Sequence, residues 1–81
     1  MDSEKIHGYE VDTIELKKLM IENHIDTIDE FSAKIGVNRN TLADVINGRS
    51  YPSSIVMQKI ALEFRLTHDF AGKIFFKEKL A

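Results

Sequence analysis

The sequence contains no cysteine, and only one proline and four glycines occur among its 81 residues. Without cysteine the chain has neither disulfides nor thiolate metal sites, which agrees with a reducing compartment. Few residues that interrupt a helix are present, so the composition favours a helical protein. At this length we expect one small domain with a single hydrophobic core.

Long apolar runs are missing as well, and the stretch Leu19-Met20-Ile21 is as long as any in the chain. A membrane-spanning helix needs about 20 consecutive apolar residues, so no segment predicts a span. The first ten residues, MDSEKIHGYE, are polar and acidic, and they lack the apolar core of a secretion signal. We therefore expect a cytoplasmic protein with no membrane partner.

The chain also lacks an excess of positive charge, because 13 acidic residues outweigh 11 basic ones to give a net charge of −2. Residues 1–26 hold three lysines against seven acids, whereas residues 53–81 hold five basic residues against three acids. Residues 27–52 hold three residues of each sign and are neutral. Phosphate contacts supply much of the affinity of DNA-binding domains, so we expect only modest attraction to a duplex.

Apolar residues recur at spacings of three and four, which predicts amphipathic helices. Five such segments follow residues that favour a helix N-cap: Asp12, Thr27, Asn38, Ser53 or Ser54, and Thr67. The segments end near Asn23, Ile35, Ile46, Phe64 and Phe76. The predicted fold is all-α, a bundle of about five short helices over residues 12–76, with a flexible tail at 1–11 and another at 77–81.

The second and third predicted helices are joined by a very short link. Thr27 and Glu30 form a T-x-x-E capping box at the start of the second helix, and Gly36 ends it where a left-handed residue is needed. Only Val37 separates Gly36 from Asn38, the N-cap of the third helix. Two helices joined this closely must turn sharply, which predicts a helix-turn-helix.

The stretch TIDEFSAKIGVNRNTLADVINGRSYP, followed by IVMQKIALEF, resembles the lambda-repressor-like helix-turn-helix family of the Cro and C1 type. The resemblance runs from about Leu16 to Leu66 and rests on Phe31-Ser32, Gly36-Val37-Asn38, Gly48, Pro52 and Phe64-Arg65-Leu66. It implies a repressor-type fold and a small phage or prophage regulator that binds operator DNA in a bacterial host cell. We expect a homodimer on two half-sites one turn apart. The KIFF run at 73–76 either closes the core or contributes a dimer contact.

The third predicted helix has one apolar and one polar side. At about 100° per residue, Leu42, Val45 and Ile46 fall on its inner side. The side chains opposite include amides suited to adenine, arginines suited to guanine or phosphate, an alanine suited to a thymine methyl group and an aspartate suited to cytosine. The predicted DNA-binding residues are Thr27, Asn38, Arg39, Asn40, Ala43, Asp44, Asn47 and Arg49.

Some of these residues also have a simpler interpretation. Asn38 is suited to capping the third helix, and Asn47 is suited to ending it together with Gly48. Arg39 and Arg49 are also consistent with ordinary solvated charges, although DNA contact is the favoured interpretation.

Two positions depart from the family pattern. Family members commonly carry a phosphate-holding glutamine where this chain has Ile28, and many carry an arginine where it has Met20. Met20, Ile28, Asp29 and Asp44 therefore form a candidate patch for a protein partner. The alternative function is an antirepressor, which binds a partner repressor protein and blocks its DNA binding.

Neither catalysis nor metal binding is predicted. His7, His24 and His68 are scattered along the chain without the spacing of metal ligands. The acidic clusters lie at helix starts, where the helix dipole favours them. The sequence has no glycine-rich phosphate loop and no credible Ser/His/Asp arrangement, so we expect a non-enzymatic protein without cofactors.

Overall fold

The computed structural model describes residues 8–79. Five helices follow one another: α1 (Thr13–Glu22), α2 (Ile28–Ile35), α3 (Arg39–Ile46), α4 (Ser54–Phe64) and α5 (His68–Phe75). Two short strands flank them: β1 (Tyr9–Glu10) and β2 (Lys77–Glu78). The predicted all-α fold with about five short helices is confirmed. None of the described helices has the length and apolar character to cross a membrane.

Each helix begins at a capping side chain. Side-chain oxygens accept hydrogen bonds from first-turn N–H groups at Asp12, Thr27, Asn38, Ser53 and Thr67. Each cap satisfies a backbone donor that has no partner inside the helix. The capping box of α2 differs from the prediction in one contact. Thr27 Oγ1 accepts from the Glu30 N–H at 3.0 Å, but the Glu30 carboxylate accepts from the N–H of Asp26.

The inner faces of all five helices form the core. Its largest fully buried side chains are Leu16, Phe31, Leu42, Val45, Ile60, Ile74 and Phe75. Burying a side chain of this kind contributes about 1.5–3 kcal/mol, and a domain this small depends on each of them. The Phe31 and Phe64 rings lie 5.2 Å apart between centroids and join α2 to α4. In the KIFF run Ile74 and Phe75 close the core, whereas Phe76 is half exposed.

The two ends of the described chain pair with each other. β1 and β2 are antiparallel, with Tyr9 opposite Glu78 and Glu10 opposite Lys77. Val11 is buried in the core directly after β1. The predicted tails were therefore too long: residues 8–11 and 77–79 belong to the fold, because strand pairing satisfies their backbone groups. The remaining parts of those tails, 1–7 and 80–81, lie outside the described residues.

Candidate nucleic-acid interface

The turn between α2 and α3 depends on Gly36. This residue has a φ of 69° and a ψ of 40°, a left-handed conformation that glycine adopts without a Cβ penalty. Its N–H donates to the Ser32 carbonyl at 2.9 Å, and the Val37 N–H donates to the same carbonyl at 3.2 Å, which closes the end of α2. Lys59 Nζ, from α4, donates to the Gly36 carbonyl at 3.1 Å. A third helix thus supports the turn that orients α3 relative to α2.

The position of α3 is fixed by its apolar side. Leu42, Val45 and Ile46 are 0%, 1% and 2% exposed, as the sequence pattern predicts. Because these three side chains point into the core, Arg39 and Asn40 are turned outward and are exposed. The apolar side of α3 is therefore held in the core, and its polar side faces solvent.

Three of the predicted DNA-binding residues have structural roles. Asn38 Oδ1 accepts from the N–H groups of Asn40 (2.9 Å) and Thr41 (3.1 Å), and Thr27 caps α2. Asn47 Nδ2 donates to the Ala43 carbonyl at 3.0 Å, near the end of α3. Within residues 8–79 the Asn40 amide makes no hydrogen bond to another residue, so its donors and acceptor are directed to solvent.

Ala43 does not lie on the outer side of α3, contrary to the prediction. Its side chain is only 8% exposed. The physical reason is that α3 packs against both α1 and α2, and two neighbours cover a wider arc than a single apolar stripe predicts. Ala43 is thus unsuited to contact a thymine methyl group. The part of the α3 surface that can face DNA bases is narrower than expected.

Both predicted arginines are paired with carboxylates of this chain. Arg39 Nε donates to Asp29 Oδ1, which links the start of α3 to the first turn of α2. Arg49 Nε donates to Asp44 Oδ1 at 2.9 Å. All four side chains are substantially exposed. Exposed pairs of this kind contribute about 0.2–1 kcal/mol, so a phosphate group can compete for either guanidinium.

The predicted protein-partner patch is wrong in one of its members. Met20 is 7% exposed and belongs to the core. Its spacing from Leu16 and Leu19 is i+4 and i+1, which places all three on the buried side of α1. Ile28 is half buried and packs against the same core. Asp29 and Asp44 remain at the surface, so what is left of the patch is acidic rather than apolar.

The described surface has a groove that the sequence did not predict, with a volume of about 380 Å³. β1, β2, the start of α1 and the loop after α3 form its walls. Its lining includes Glu10, Asp12, Arg49, Lys77 and Lys79. The only sequence signal was the alternation Lys-Glu-Lys at 77–79, which puts both lysines on one face of a strand but is too short to indicate one.

Aromatic side chains hold the groove walls together. The Tyr51 hydroxyl donates to the Phe75 carbonyl, which ties the loop after α3 to the end of α5. The Phe76 ring lies 5.6 Å from the Tyr9 ring and 6.5 Å from the Tyr51 ring, measured between centroids. Partial burial raises the pKa of Tyr51 above its usual value, and nearby Tyr9 adds to the rise.

The histidine and acidic side chains are dispersed over the described part of the chain. Over residues 8–79, no group of three or more His, Cys, Asp or Glu side chains is arranged to hold an ion. His24 and His68 are exposed and lie at separate ends of helices, and His7 lies outside the described residues.

Comparison with known families gives one finding. A family model described as helix-turn-helix matches residues 16–70, which is well over half of the chain and extends from α1 into α5. The matched segment includes the turn at Gly36 and the whole of α3. Comparison with curated proteins and comparison with solved structures each gave no match.

Proposed function

The chain belongs to the helix-turn-helix family of the lambda-repressor and Cro type, whose members are DNA-binding transcription regulators, and on that basis we propose that it binds operator DNA through α3. The main observation in favour of this proposal is that the polar side of α3 is exposed to solvent. Leu42, Val45 and Ile46 are buried and hold the helix against the core, whereas the Asn40 side chain is exposed to solvent. An amide in this position is suited to the paired donor and acceptor of adenine in the major groove.

Of the other predicted residues, some contact DNA directly and some hold the helices in position. Arg39 and Arg49 bind phosphate or guanine once they leave Asp29 and Asp44. Thr27, Asn38 and Asn47 hold the ends of α2 and α3 in place for backbone contacts. Asp44 either accepts from a cytosine amine or keeps Arg49 in position.

We further propose a homodimer that binds two half-sites one helical turn apart and acts in a phage or prophage switch. One copy presents only one α3, and the neutral helix-turn-helix region gives little affinity to a single copy. A second copy supplies a second α3, which matches the symmetry of a palindromic site.

The test is a titration of a labelled duplex from the protein's own promoter region, with Asn40→Ala compared with the unchanged protein. We expect the variant to lose about 1–3 kcal/mol of discrimination between the operator and a scrambled duplex. Gln58→Ala removes an exposed amide from α4 and is the matched control, expected to bind normally. No specific binding by the unchanged protein at micromolar concentration would contradict the proposal.

A second candidate function is the antirepressor, and the paired arginines favour it. Arg39 and Arg49 already face carboxylates, and residues 1–26 carry a strong acidic excess. An acidic surface of this kind complements the basic DNA-binding face of a repressor. Because Met20 is buried, the contact surface in this role consists of Asp29, Asp44 and the exposed part of Ile28.

Mixing the protein with a repressor encoded by a neighbouring gene separates the two functions. Co-elution from a sizing column supports the antirepressor, and separate peaks at high concentration contradict it. Ile28→Gln places a phosphate-binding amide at the start of α2, so we expect it to strengthen DNA binding and weaken repressor binding. Ile28 is half buried, so the variant's melting temperature must be measured alongside.

A further inference from the structure

The groove formed by β1, β2, the start of α1 and the loop after α3 shares Arg49 with the surface proposed to bind DNA. Arg49, Ser50 and Tyr51 form one wall, and these residues follow α3 in the chain. Lys77 and Lys79 form part of the opposite wall. We propose that these two lysines contact the phosphate backbone of the duplex that α3 reads, so that the sheet serves as a second contact element. The inference rests on the proposed DNA-binding function.

The register of the sheet explains why two lysines share this groove. Side chains alternate along an extended chain, so Lys77 in β2 and Lys79 directly after it are expected on one face, with Glu78 on the other. Both lysines line the groove, whereas Glu78 does not. All three residues are exposed. Alternation thus separates the basic side chains from the acidic one between them.

The sheet cannot move freely relative to α3. The Tyr51 hydroxyl bonds to the Phe75 carbonyl, two residues before Lys77, and the Phe76 ring lies between Tyr51 and Tyr9. The Lys79 N–H donates to the Gly8 carbonyl at 2.7 Å and holds the end of β2 against β1. The backbone at Lys77 and Lys79 is therefore tied to β1 and to the loop that carries Arg49.

The charges favour a phosphate backbone as the occupant. Three basic side chains, Arg49, Lys77 and Lys79, line the groove with two acidic ones, Glu10 and Asp12. The Arg49 guanidinium is paired with Asp44, so the two lysines are the groove's main source of positive charge for a phosphate. Asp12 is already occupied as the N-cap of α1. Glu10 faces Lys77 across the sheet and partly offsets it. The helix-turn-helix region is neutral, so these lysines supply positive charge that the reading helix and its neighbours lack.

The experiment measures duplex affinity over a series of salt concentrations. Lys77→Gln/Lys79→Gln is compared with the unchanged protein and with Lys17→Gln/Lys18→Gln. The control removes the same charge from two exposed lysines of α1 that do not line the groove. Each lost phosphate contact lowers the salt slope by about 0.9, so we expect a slope shallower by roughly 2 and about tenfold weaker binding at 0.1 M salt. Lys17→Gln/Lys18→Gln keeps the original slope.

A second variant, Glu10→Gln, tests the same inference in the opposite direction. It removes the carboxylate facing Lys77, so we expect tighter binding and a slope at least as steep as that of the unchanged protein.

The possible failures are distinguishable. If the unchanged protein binds no duplex, the proposed function is wrong and the inference falls with it. If the unchanged protein binds but Lys77→Gln/Lys79→Gln keeps its slope, only the inference is wrong. The inference is also overturned if this variant changes the oligomeric state without DNA, because the groove is then a contact between copies of the chain.

Discussion

Arg49 and Asp44 are joined twice. Arg49 Nε lies 2.9 Å from Asp44 Oδ1, and the Arg49 N–H donates to the Asp44 carbonyl at 2.8 Å. The backbone hydrogen bond holds Arg49, which lies in the loop after α3, against the end of that helix. The side-chain contact pairs its guanidinium with the Asp44 carboxylate. A phosphate that binds Arg49 must displace this carboxylate.

Replacing Asp44 with Asn is expected to strengthen DNA binding by about three- to tenfold at low salt, because it frees Arg49 and removes repulsion of phosphate. The gain should shrink as salt rises. Affinity for the promoter duplex measures it. Asp69→Asn makes the same change of charge at an exposed site on α5 and is the control. Equal effects of the two substitutions would mean that only net charge matters.

The helices and the turn were predictable because their signals are local. Thr27 and Asn38 cap helices in the first turn after them, and Gly36 adopts the left-handed conformation expected of a helix-ending glycine. The inner side of α3 was predictable for the same reason, since Leu42, Val45 and Ile46 follow the helical period.

Contacts between distant residues were not predictable. Tyr9 pairs with Glu78 across almost the whole chain, and two-residue strands have no recognisable period. The Arg39–Asp29 pair crosses from one helix to another, so no spacing rule within a helix indicates it. Met20 is buried by its helical spacing from Leu16, whereas its family position alone predicts an exposed side chain.

Tyr51→Phe is expected to destabilise the fold by about 0.5–1.5 kcal/mol at pH 8, because it removes the hydrogen bond to the Phe75 carbonyl. The pKa of Tyr51 is raised by partial burial, so the folded state holds this proton more tightly than the unfolded chain does. The associated stability is complete below about pH 10, the unfolded value, and is lost as pH rises through the raised pKa.

The difference between the unchanged protein and Tyr51→Phe should therefore narrow as the pH rises above about 10, because the unfolded tyrosine ionises there while the folded one still holds its proton. Denaturant unfolding at pH 8 and at a series of pH values above 10 measures this. Tyr9→Phe is the control, since the Tyr9 hydroxyl makes no hydrogen bond to another residue within 8–79. A constant difference between Tyr51→Phe and the unchanged protein would contradict the assigned donor.

Gly36→Ala and Gly72→Ala are expected to shift stability in opposite directions. Gly36 has a φ of 69°, where an alanine costs about 1–2 kcal/mol. Gly72 lies inside α5 with open space around its missing side chain, so alanine there should stabilise by about 0.5–1 kcal/mol. Thermal unfolding measures both, at about 4–8 °C per kcal/mol. If both alanines stabilise, Gly36 is not required by the turn.

Met20→Ala and Ile21→Ala test the reassignment of Met20 to the core. Met20 is 7% exposed and Ile21 is 74% exposed, although they are neighbours on α1. Removing a buried methionine side chain costs about 2–5 kcal/mol, whereas a surface truncation stays within about 0.5 kcal/mol. Denaturant unfolding of the two variants therefore separates a core residue from a surface residue at adjacent positions. Equal small losses would return Met20 to the surface patch and restore an apolar contact for the antirepressor.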